Sequence, residues 1–430
     1  MHTRGVTPAG TRVLWVESDE PELAYVSVAF AVGFGTLPPR AAHFAHFVEH
    51  IVAHLTPDER RRVDASGVEC NASTSEHTTV FHASGLASGI LRTYLPLLAA
   101  RIASPPSDAL THRNEALAVV TEIQQHGAQP SAAHRAHVAR LERPDSIDAV
   151  GFEAHAAFMS KLSRTPSQGL VASYVRAHYV HTRAHVTVSC ARALRGALVA
   201  AALDALGHAP REVAAPRMPR AASSALEQKK ASVLRVDACS PEAKTHITIL
   251  VPVAVSANEL PVADFCAETL RTALFDELRT RLGLLYSVHV SYVSHSPTAR
   301  EHDRCRQELA VYAMCDGSNV VRAVAAARRV IAALEATDTM VVEWCDSTRA
   351  SVLSARACRT PESLASWYES HSFGGYPLRS HEATLSFLHT FPIARAREVG
   401  RSLRAAPLRV YVTTGDARPD VVHASLARSE

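Results

Sequence analysis

The chain has 430 residues, of which 47% are hydrophobic and 20% are charged. This composition is typical of a globular protein, and the length is sufficient for two domains of about 200 residues each. The 45 basic and 42 acidic residues leave a net charge of only +3, so the charge balance does not indicate a nucleic-acid partner or an anionic membrane.

The N-terminal segment lacks the apolar core of a secretory signal, because the first apolar run, residues 24–34, follows acidic residues at positions 17, 19, 20 and 22. No apolar stretch reaches the roughly 18 residues that a membrane span requires. The 8 cysteines are scattered without a C-x-x-C pair, which favours reduced thiols. We therefore expect a cytoplasmic protein that does not enter a membrane.

After a strand-like segment, Tyr25 to Gly33, the sequence reads H-x-x-E-H from His46 to His50. Positions i, i+3 and i+4 of an α-helix project from one face, so the two imidazoles and the carboxylate of Glu49 would lie together. This is the inverted zincin pattern, in which the histidines bind Zn²⁺ and the glutamate acts as general base. Taken alone, the five residues also fit a charged surface turn of a helix.

Three further histidines lie near this pattern. His43 and His54 flank it, and His54 continues the i+4 series. Each i+4 step turns by about 40° and rises by about 6 Å, so we expect neither residue to complete a compact tetrahedral site. His77 lies in the alternating segment Ser75 to Phe81, which favours a strand that could line a cleft, and the sequence assigns it no role.

A third zinc ligand is expected from the segment between residues 114 and 123, whose alanine, leucine, valine and glutamate content predicts a helix. Glu115 and Glu122 are seven positions apart, which is about two helical turns, so both carboxylates share one face. Leu117, Val120 and Ile123 can pack elsewhere. One glutamate can bind metal while the other supports it, and the spacing alone leaves open which does which.

With these segments the chain resembles the M16 peptidase family, the group that includes pitrilysin and the mitochondrial processing peptidase. The resemblance implies that Glu122 is the third ligand beside His46 and His50, with one zinc ion per chain. It also implies that Glu115, seven residues earlier, supports the site by orienting a ligand or holding the helix in place.

Two other segments extend the resemblance. Asn71, Ala72 and Ser73 follow a glycine in a segment that the family places on an edge strand beside the metal, where an extended peptide can dock by strand addition. In the segment from residue 278 to 288, Arg279 and Tyr286 match family residues that contact the substrate. A tyrosine hydroxyl can stabilise a developing oxyanion, and an arginine can hold a backbone carbonyl.

The second half repeats the pattern of the first. Strand-like segments open both halves, at 25–33 and 246–252, and close both halves, at 185–190 and 409–416. We therefore predict an α+β protein with two similar domains, each a mostly antiparallel sheet backed by helices. The expected boundaries are 1–210 for the zinc-binding domain, 211–230 for a linker rich in alanine, proline, serine and arginine, and 231–430 for the second domain.

The sequence thus predicts a zinc endopeptidase that cleaves flexible peptides or leader segments. Short M16 chains pair as clamshells, in which the zinc residues of one chain meet the arginine and tyrosine of the other, so the resemblance implies a homodimer. Two alternatives are a peptide-binding, non-catalytic subunit of a heterodimer and a scaffold whose H-x-x-E-H pattern is accidental. The last of these predicts that His46, Glu49 and Glu122 lie far apart.

Overall fold

A computed structural model describes residues 1–129, 131–165, 167–207, 232–238, 244–294, 302–357, 359–377, 379–415 and 418–427. The predicted α+β architecture is confirmed, with two mixed sheets that are each backed by helices. The predicted linker, 211–230, lies outside the described residues, and the domain boundaries stay predictions. The strands are β1 His2–Val6, β2 Arg12–Glu17, β3 Leu23–Phe30, β4 Val68–Thr74, β5 Thr79–Leu86, β6 Ala184–Cys190, β7 Val233–Asp237, β8 Lys244–Pro252, β9 Ser287–Ser294, β10 Gln307–Asp316 and β11 Arg409–Thr413.

Helices fill the connections between these strands. In the first half they are α1 His43–Ala53, α2 Pro57–Ala65, α3 Ala87–Gly89, α4 Leu95–Ala103, α5 Ala109–Gly127, α6 Ala132–Glu142, α7 Ile147–Val150, α8 Phe152–Leu162, α9 Gln168–His178 and α10 Arg195–Asp204. In the second half they are α11 Leu260–Phe275, α12 Val320–Ala332, α13 Asp338–Ala357, α14 Pro361–Gly374, α15 His381–His389, α16 Ile393–Arg404 and α17 Pro419–Ala427. Among the described residues, no helix is both long and apolar enough to span a membrane.

The two sheets have equivalent strand orders. The first sheet runs β1-β2-β6-β3-β5-β4, and the second runs β7-β11-β8-β10-β9. The antiparallel pair of β3 with β6 in the first sheet corresponds to the pair of β8 with β11 in the second. Each sheet also has one parallel pair next to it, β2 with β6 and β7 with β11. Except for the additional β1, each strand of one sheet has a counterpart in the other, as an internal duplication predicts.

Each sheet receives a helix from the opposite half of the chain. Helix α14 packs on β2, β3 and β6 of the first sheet, and α6 contacts β11 of the second. The α6 contact is polar and buried: Glu142 pairs with Arg306 and Arg409, while His134 hydrogen-bonds Thr413 and Thr248 at 2.9 and 2.7 Å. Buried charges are tolerated where each has a partner, so this cluster fixes how the two halves sit together.

Local structure departs from the sequence prediction at one place near the site. The strand predicted from Ser75 begins only at Thr79, because Ser75 to Thr78 form the hairpin turn between β4 and β5, closed by the Ser75 N–H donating to the Thr78 carbonyl at 2.7 Å. His77 is therefore a turn residue. The six described cysteines are all free, consistent with reduced thiols.

Candidate metal centre

Helix α1 is held by its apolar face and presents its histidines to a cavity. Phe47, Val48, Ile51 and Val52 are buried in the first core, which fixes the opposite face. The loop before α1 is bound to the β4–β5 hairpin, because the Phe34 N–H donates to the Ser75 carbonyl at 2.9 Å. At Gly33 a Cβ atom would lie 2.2 Å from that same oxygen, so only glycine permits this approach.

Helix α5 brings the two glutamates to α1. Its first turn is capped by Asp108, whose carboxylate accepts from the Thr111 N–H at 2.7 Å. Val120 and Ile123 are buried, as the helical spacing predicts. Leu117 is 42% exposed, so of the three apolar positions only Val120 and Ile123 pack into the core.

The donor atoms of His46, His50 and Glu122 form a compact triangle. His46 Nε2 lies 3.2 Å from His50 Nε2 and 3.2 Å from Glu122 Oε2, and His50 Nε2 lies 3.5 Å from Glu122 Oε1. Tetrahedral zinc with ligand distances of about 2.0–2.1 Å separates neighbouring donors by about 3.3 Å. The two nitrogens each have a different Glu122 oxygen within 3.5 Å, and the three separations are close to this value, so the three residues are candidates to hold zinc. The side chains are not far apart, as an accidental pattern would predict.

Glu115 lies behind the triangle. Its carboxylate accepts from His50 Nδ1 at 3.0 Å and from His54 Nδ1 at 2.8 Å. Although burial opposes it, hydrogen bonding to these two histidines lowers the pKa of Glu115, so its carboxylate is ionised. With Nδ1–H donated to Glu115, the Nε2 lone pair of His50 faces the triangle in the tautomer that binds metal. Burial lowers the pKa of His46 to about 4 and favours its neutral ring. For His50 burial acts in the same direction, but the Glu115 hydrogen bond and the charges of Glu49 and Glu122 outweigh it and raise the pKa.

Glu49 lies beside the triangle, with its Oε2 3.8 Å from His46 Nε2, and His46, Glu49 and His50 form a cluster able to hold a metal ion. It is 5% exposed and accepts from the Thr74 hydroxyl at 3.2 Å. Burial raises the pKa of Glu49 to about 7, against the opposing effects of the His50 charge and the Thr74 hydrogen bond. A carboxyl group that titrates near neutral pH is suited to proton transfer.

The two histidines that flank the pattern, His43 and His54, do not join the triangle. The His43 ring lies 4.8 Å from that of His155, and burial lowers the pKa of His43 to about 3. His54 directly follows the last residue of α1, and its Nδ1 hydrogen-bonds the Glu115 carboxylate. Among the residues that line the cavity, Thr74 and His126 had no role assigned from the sequence. His126 follows Glu122 by one turn, and that i+4 spacing was the available signal, whereas nothing in the sequence indicated the Thr74 contact.

A cavity of about 1090 Å³ surrounds the cluster and is large enough for several residues of a peptide. The last strand of the sheet, β4, has β5 as its one neighbour among the described strands, and it contributes Asn71, Ala72, Ser73 and Thr74 to the cavity wall. The edge position predicted for this segment is thus what the sheet shows, with one side of its backbone free for pairing.

Arg279 and Tyr286 lie in the second half, and neither lines this cavity. Tyr286 is 53% exposed, and the Lys244 ammonium lies 4.5 Å above its ring and donates to its hydroxyl at 3.3 Å. Arg279 Nη1 donates to the Leu285 carbonyl at 3.5 Å. Within one chain, the structure does not bring these two residues to the donor triangle.

Comparison with solved structures places this arrangement among peptidase folds. The chain superposes on the first half of the periplasmic protease PqqL from Escherichia coli with a TM-score of 0.72 at 15% identity, over 100% of this chain and 96% of that one. For an M16 peptidase inactive domain from Pseudomonas fluorescens the TM-score is 0.68 at 13% identity, over 96% and 98%. For pitrilysin it is 0.64 at 16% identity, over 100% of this chain and 48% of pitrilysin.

The chain spans about half the length of the longer proteins, 45% for full-length PqqL. No protein-family model matches the sequence, and no curated protein matches it. At these identities the comparison shows the fold: two M16-type halves with a candidate H-x-x-E-H metal site.

Proposed function

We propose that this chain, which has the M16 peptidase fold, is a zinc-dependent endopeptidase that cleaves flexible peptides or leader segments. The observation that carries the proposal is the triangle of His46, His50 and Glu122 donor atoms, at separations that suit tetrahedral zinc, with the buried carboxylate of Glu49 beside it. A helix with an accidental charged face would not require this convergence of two helices.

Bound by these three side chains, zinc would act as a Lewis acid toward the scissile carbonyl and lower the pKa of a water molecule. Glu49 then accepts the proton of the attacking water and delivers it to the leaving amine. The Thr74 hydroxyl holds Glu49 Oε2 in place. Burial around Glu49 excludes bulk water and maintains a carboxyl pKa near that required for both transfers.

The substrate is held by backbone pairing. An extended peptide that adds to the free side of β4 passes Asn71, Ala72 and Ser73 within the same cavity as Glu49. Main-chain hydrogen bonds read conformation more than side-chain identity, so the enzyme would select flexible segments. A folded protein could not present such a strand without local unfolding.

Completion of the site by a second copy accounts for Arg279 and Tyr286. Both lie outside the cavity of their own chain, and Tyr286 is exposed. In a homodimer the partner's Tyr286 would donate to the developing oxyanion and the partner's Arg279 would hold a substrate carbonyl. We keep the cytoplasm as the expected location, although the protein from Escherichia coli is described as periplasmic.

A second candidate is a non-catalytic subunit that binds peptide or supports a catalytic partner. One matching structure is described as an inactive M16 domain, so the fold occurs without activity. Such a subunit would not require the close agreement of three donor distances with zinc geometry. Metal content separates the two candidates.

The test is to measure the zinc content of the purified chain and its cleavage of a pool of unstructured peptides. We compare wild type, Glu49→Gln, and Glu20→Gln as a control on an exposed glutamate. The proposal expects about one zinc per chain in all three, and cleavage by wild type and the control only. Zinc without cleavage by wild type would favour the heterodimer, and absence of zinc would refute the enzyme.

The homodimer is tested by mixing two inactive variants, Glu49→Gln and Tyr286→Phe. If the tyrosine acts across the interface, a mixed dimer contains one intact site, formed by the zinc residues of one chain and the tyrosine of the other, and cleavage returns. No recovery after subunit exchange, verified by mass, would show that Tyr286 does not act in trans.

A further inference from the structure

The second half contains a smaller cavity, of about 240 Å³, that shares no lining residue with the metal-site cavity. Helices α11, α13, α14 and α15 form its walls. Trp344, Trp367 and Phe387 contribute aromatic rings to these walls, and two side chains of opposite charge, Asp264 and Arg379, also line the cavity. Apolar walls with a few polar groups are the usual composition of a small-molecule site.

Arg379 lines this cavity and carries a hydrogen-bond donor without an acceptor among the described residues. Its guanidinium carbon lies 3.8 Å above the Phe387 ring centroid, which orients the planar group. Nη1 is buried and has no acceptor within the described part of the chain, while the backbone carbonyl of Arg379 accepts from the Trp367 indole N–H at 2.9 Å. Burial lowers the pKa of the guanidinium. A buried cationic donor is costly unless an acceptor is supplied, and a carboxylate is the acceptor that fits a guanidinium.

Asp264 supplies the opposite charge to the same cavity. Burial of its carboxyl group raises the pKa of Asp264 to about 6, so it is ionised at neutral pH, and its side chain has no ion pair or hydrogen bond in the part of the chain that the structure describes. Asp264 and Arg379 do not pair with each other, although both line one small cavity. A ligand with an ammonium group and a carboxylate would give each of them a partner, whereas a simple anion would be repelled by Asp264.

The volume of the cavity matches a single amino acid. Water occupies about 30 Å³ per molecule in the liquid, so the cavity has room for roughly eight waters, which is close to the size of one leucine. We propose that this cavity binds a zwitterionic apolar amino acid, with its carboxylate on Arg379, its ammonium on Asp264 and its side chain against Trp344 and Trp367. The proposal does not depend on the peptidase function, because the two sites share no residue.

The test uses tryptophan fluorescence of the full-length chain, since two of its three tryptophans line the cavity. L-Leucine is titrated beside two analogues of the same shape: 3-methylbutylamine, which lacks the carboxylate, and 4-methylpentanoate, which lacks the ammonium. We expect saturable binding of leucine, at least about tenfold tighter than either analogue, because each loses one charge-assisted hydrogen bond. The Trp15→Phe variant, altered in the first half, should keep the signal.

Two substitutions test which charged group of the ligand binds Arg379 and which binds Asp264. Arg379→Gln should weaken leucine about tenfold or more and leave the amine unchanged, and Asp264→Asn should weaken leucine while improving binding of 4-methylpentanoate. Thermal melting confirms that both variants fold. Each of three results would overturn the proposal. These are equal affinity for leucine and 4-methylpentanoate, a leucine affinity that either substitution leaves unchanged, and the absence of a saturable signal with leucine.

Discussion

Replacing Glu115 with glutamine tests whether Glu115 supports a zinc ligand or is itself one. Glu115 touches His50 Nδ1 at 3.0 Å and His54 Nδ1 at 2.8 Å, on the side away from the donor triangle. Glutamine has nearly the same shape but only one oxygen, so it can accept from one histidine and must turn its NH₂ group toward the other. His50 would then be less firmly held in the tautomer that binds zinc.

The size of the effect follows from that contact. Loss of a partner behind a metal ligand typically costs 10–100-fold in metal affinity, which corresponds to about 1.4–2.7 kcal/mol. The loss of one charge-assisted hydrogen bond, about 1.5–3 kcal/mol, gives the same range. Glu122→Gln, on the same helix, instead removes an anionic donor 3.2 Å from His46 Nε2 and should weaken zinc by more than about 100-fold.

The assay is competition for zinc with a chromogenic chelator at neutral pH, on wild type, Glu115→Gln and Glu122→Gln. Thermal melting of the metal-free proteins controls for folding. The reasoning fails if Glu115→Gln binds zinc as weakly as Glu122→Gln, which would exchange the two roles, or if Glu115→Gln binds zinc as tightly as wild type.

Three further predictions concern catalysis, stability and pH. Glu49→Gln should keep zinc, measured by metal analysis, and lose about 10²–10⁴-fold in kcat for peptide cleavage; wild-type kcat would contradict the assigned base. Glu142→Gln removes a negative charge that pairs with the buried Arg306 and Arg409. It should therefore lower the free energy of unfolding, measured in urea titrations, by about 3–5 kcal/mol. An unchanged free energy of unfolding would show that the cluster is solvated. Burial lowers the pKa of His134 to about 3 from 6.5, so the unfolded chain binds its proton first and stability falls as pH drops below 6.5, by up to about 1.4 kcal/mol per pH unit. His134→Gln should remove that share of the slope between pH 7 and pH 5, and an unchanged slope would show that another group is responsible.

The sequence by itself determined the features that depend on local periodicity. His46, Glu49 and His50 share a face because α-helical geometry requires it, and the spacing of Glu115 and Glu122 follows the same rule. Alternating apolar residues indicated the strands that open and close each half, and their repetition indicated the duplication. These signals need no knowledge of distant contacts.

Only the tertiary structure decided which elements meet. It placed α5 against α1, so that Glu122 joins the two histidines in the donor triangle while Glu115 lies behind it, a difference that equal spacing along one helix could not reveal. It also set Thr74 against Glu49 and left Tyr286 outside its own chain's cavity. The exchange of α6 and α14 between the two sheets depends on contacts between residues far apart in sequence, which periodicity does not encode. The cavity around Arg379 likewise exists only because four helices pack around it, since no short motif marks it.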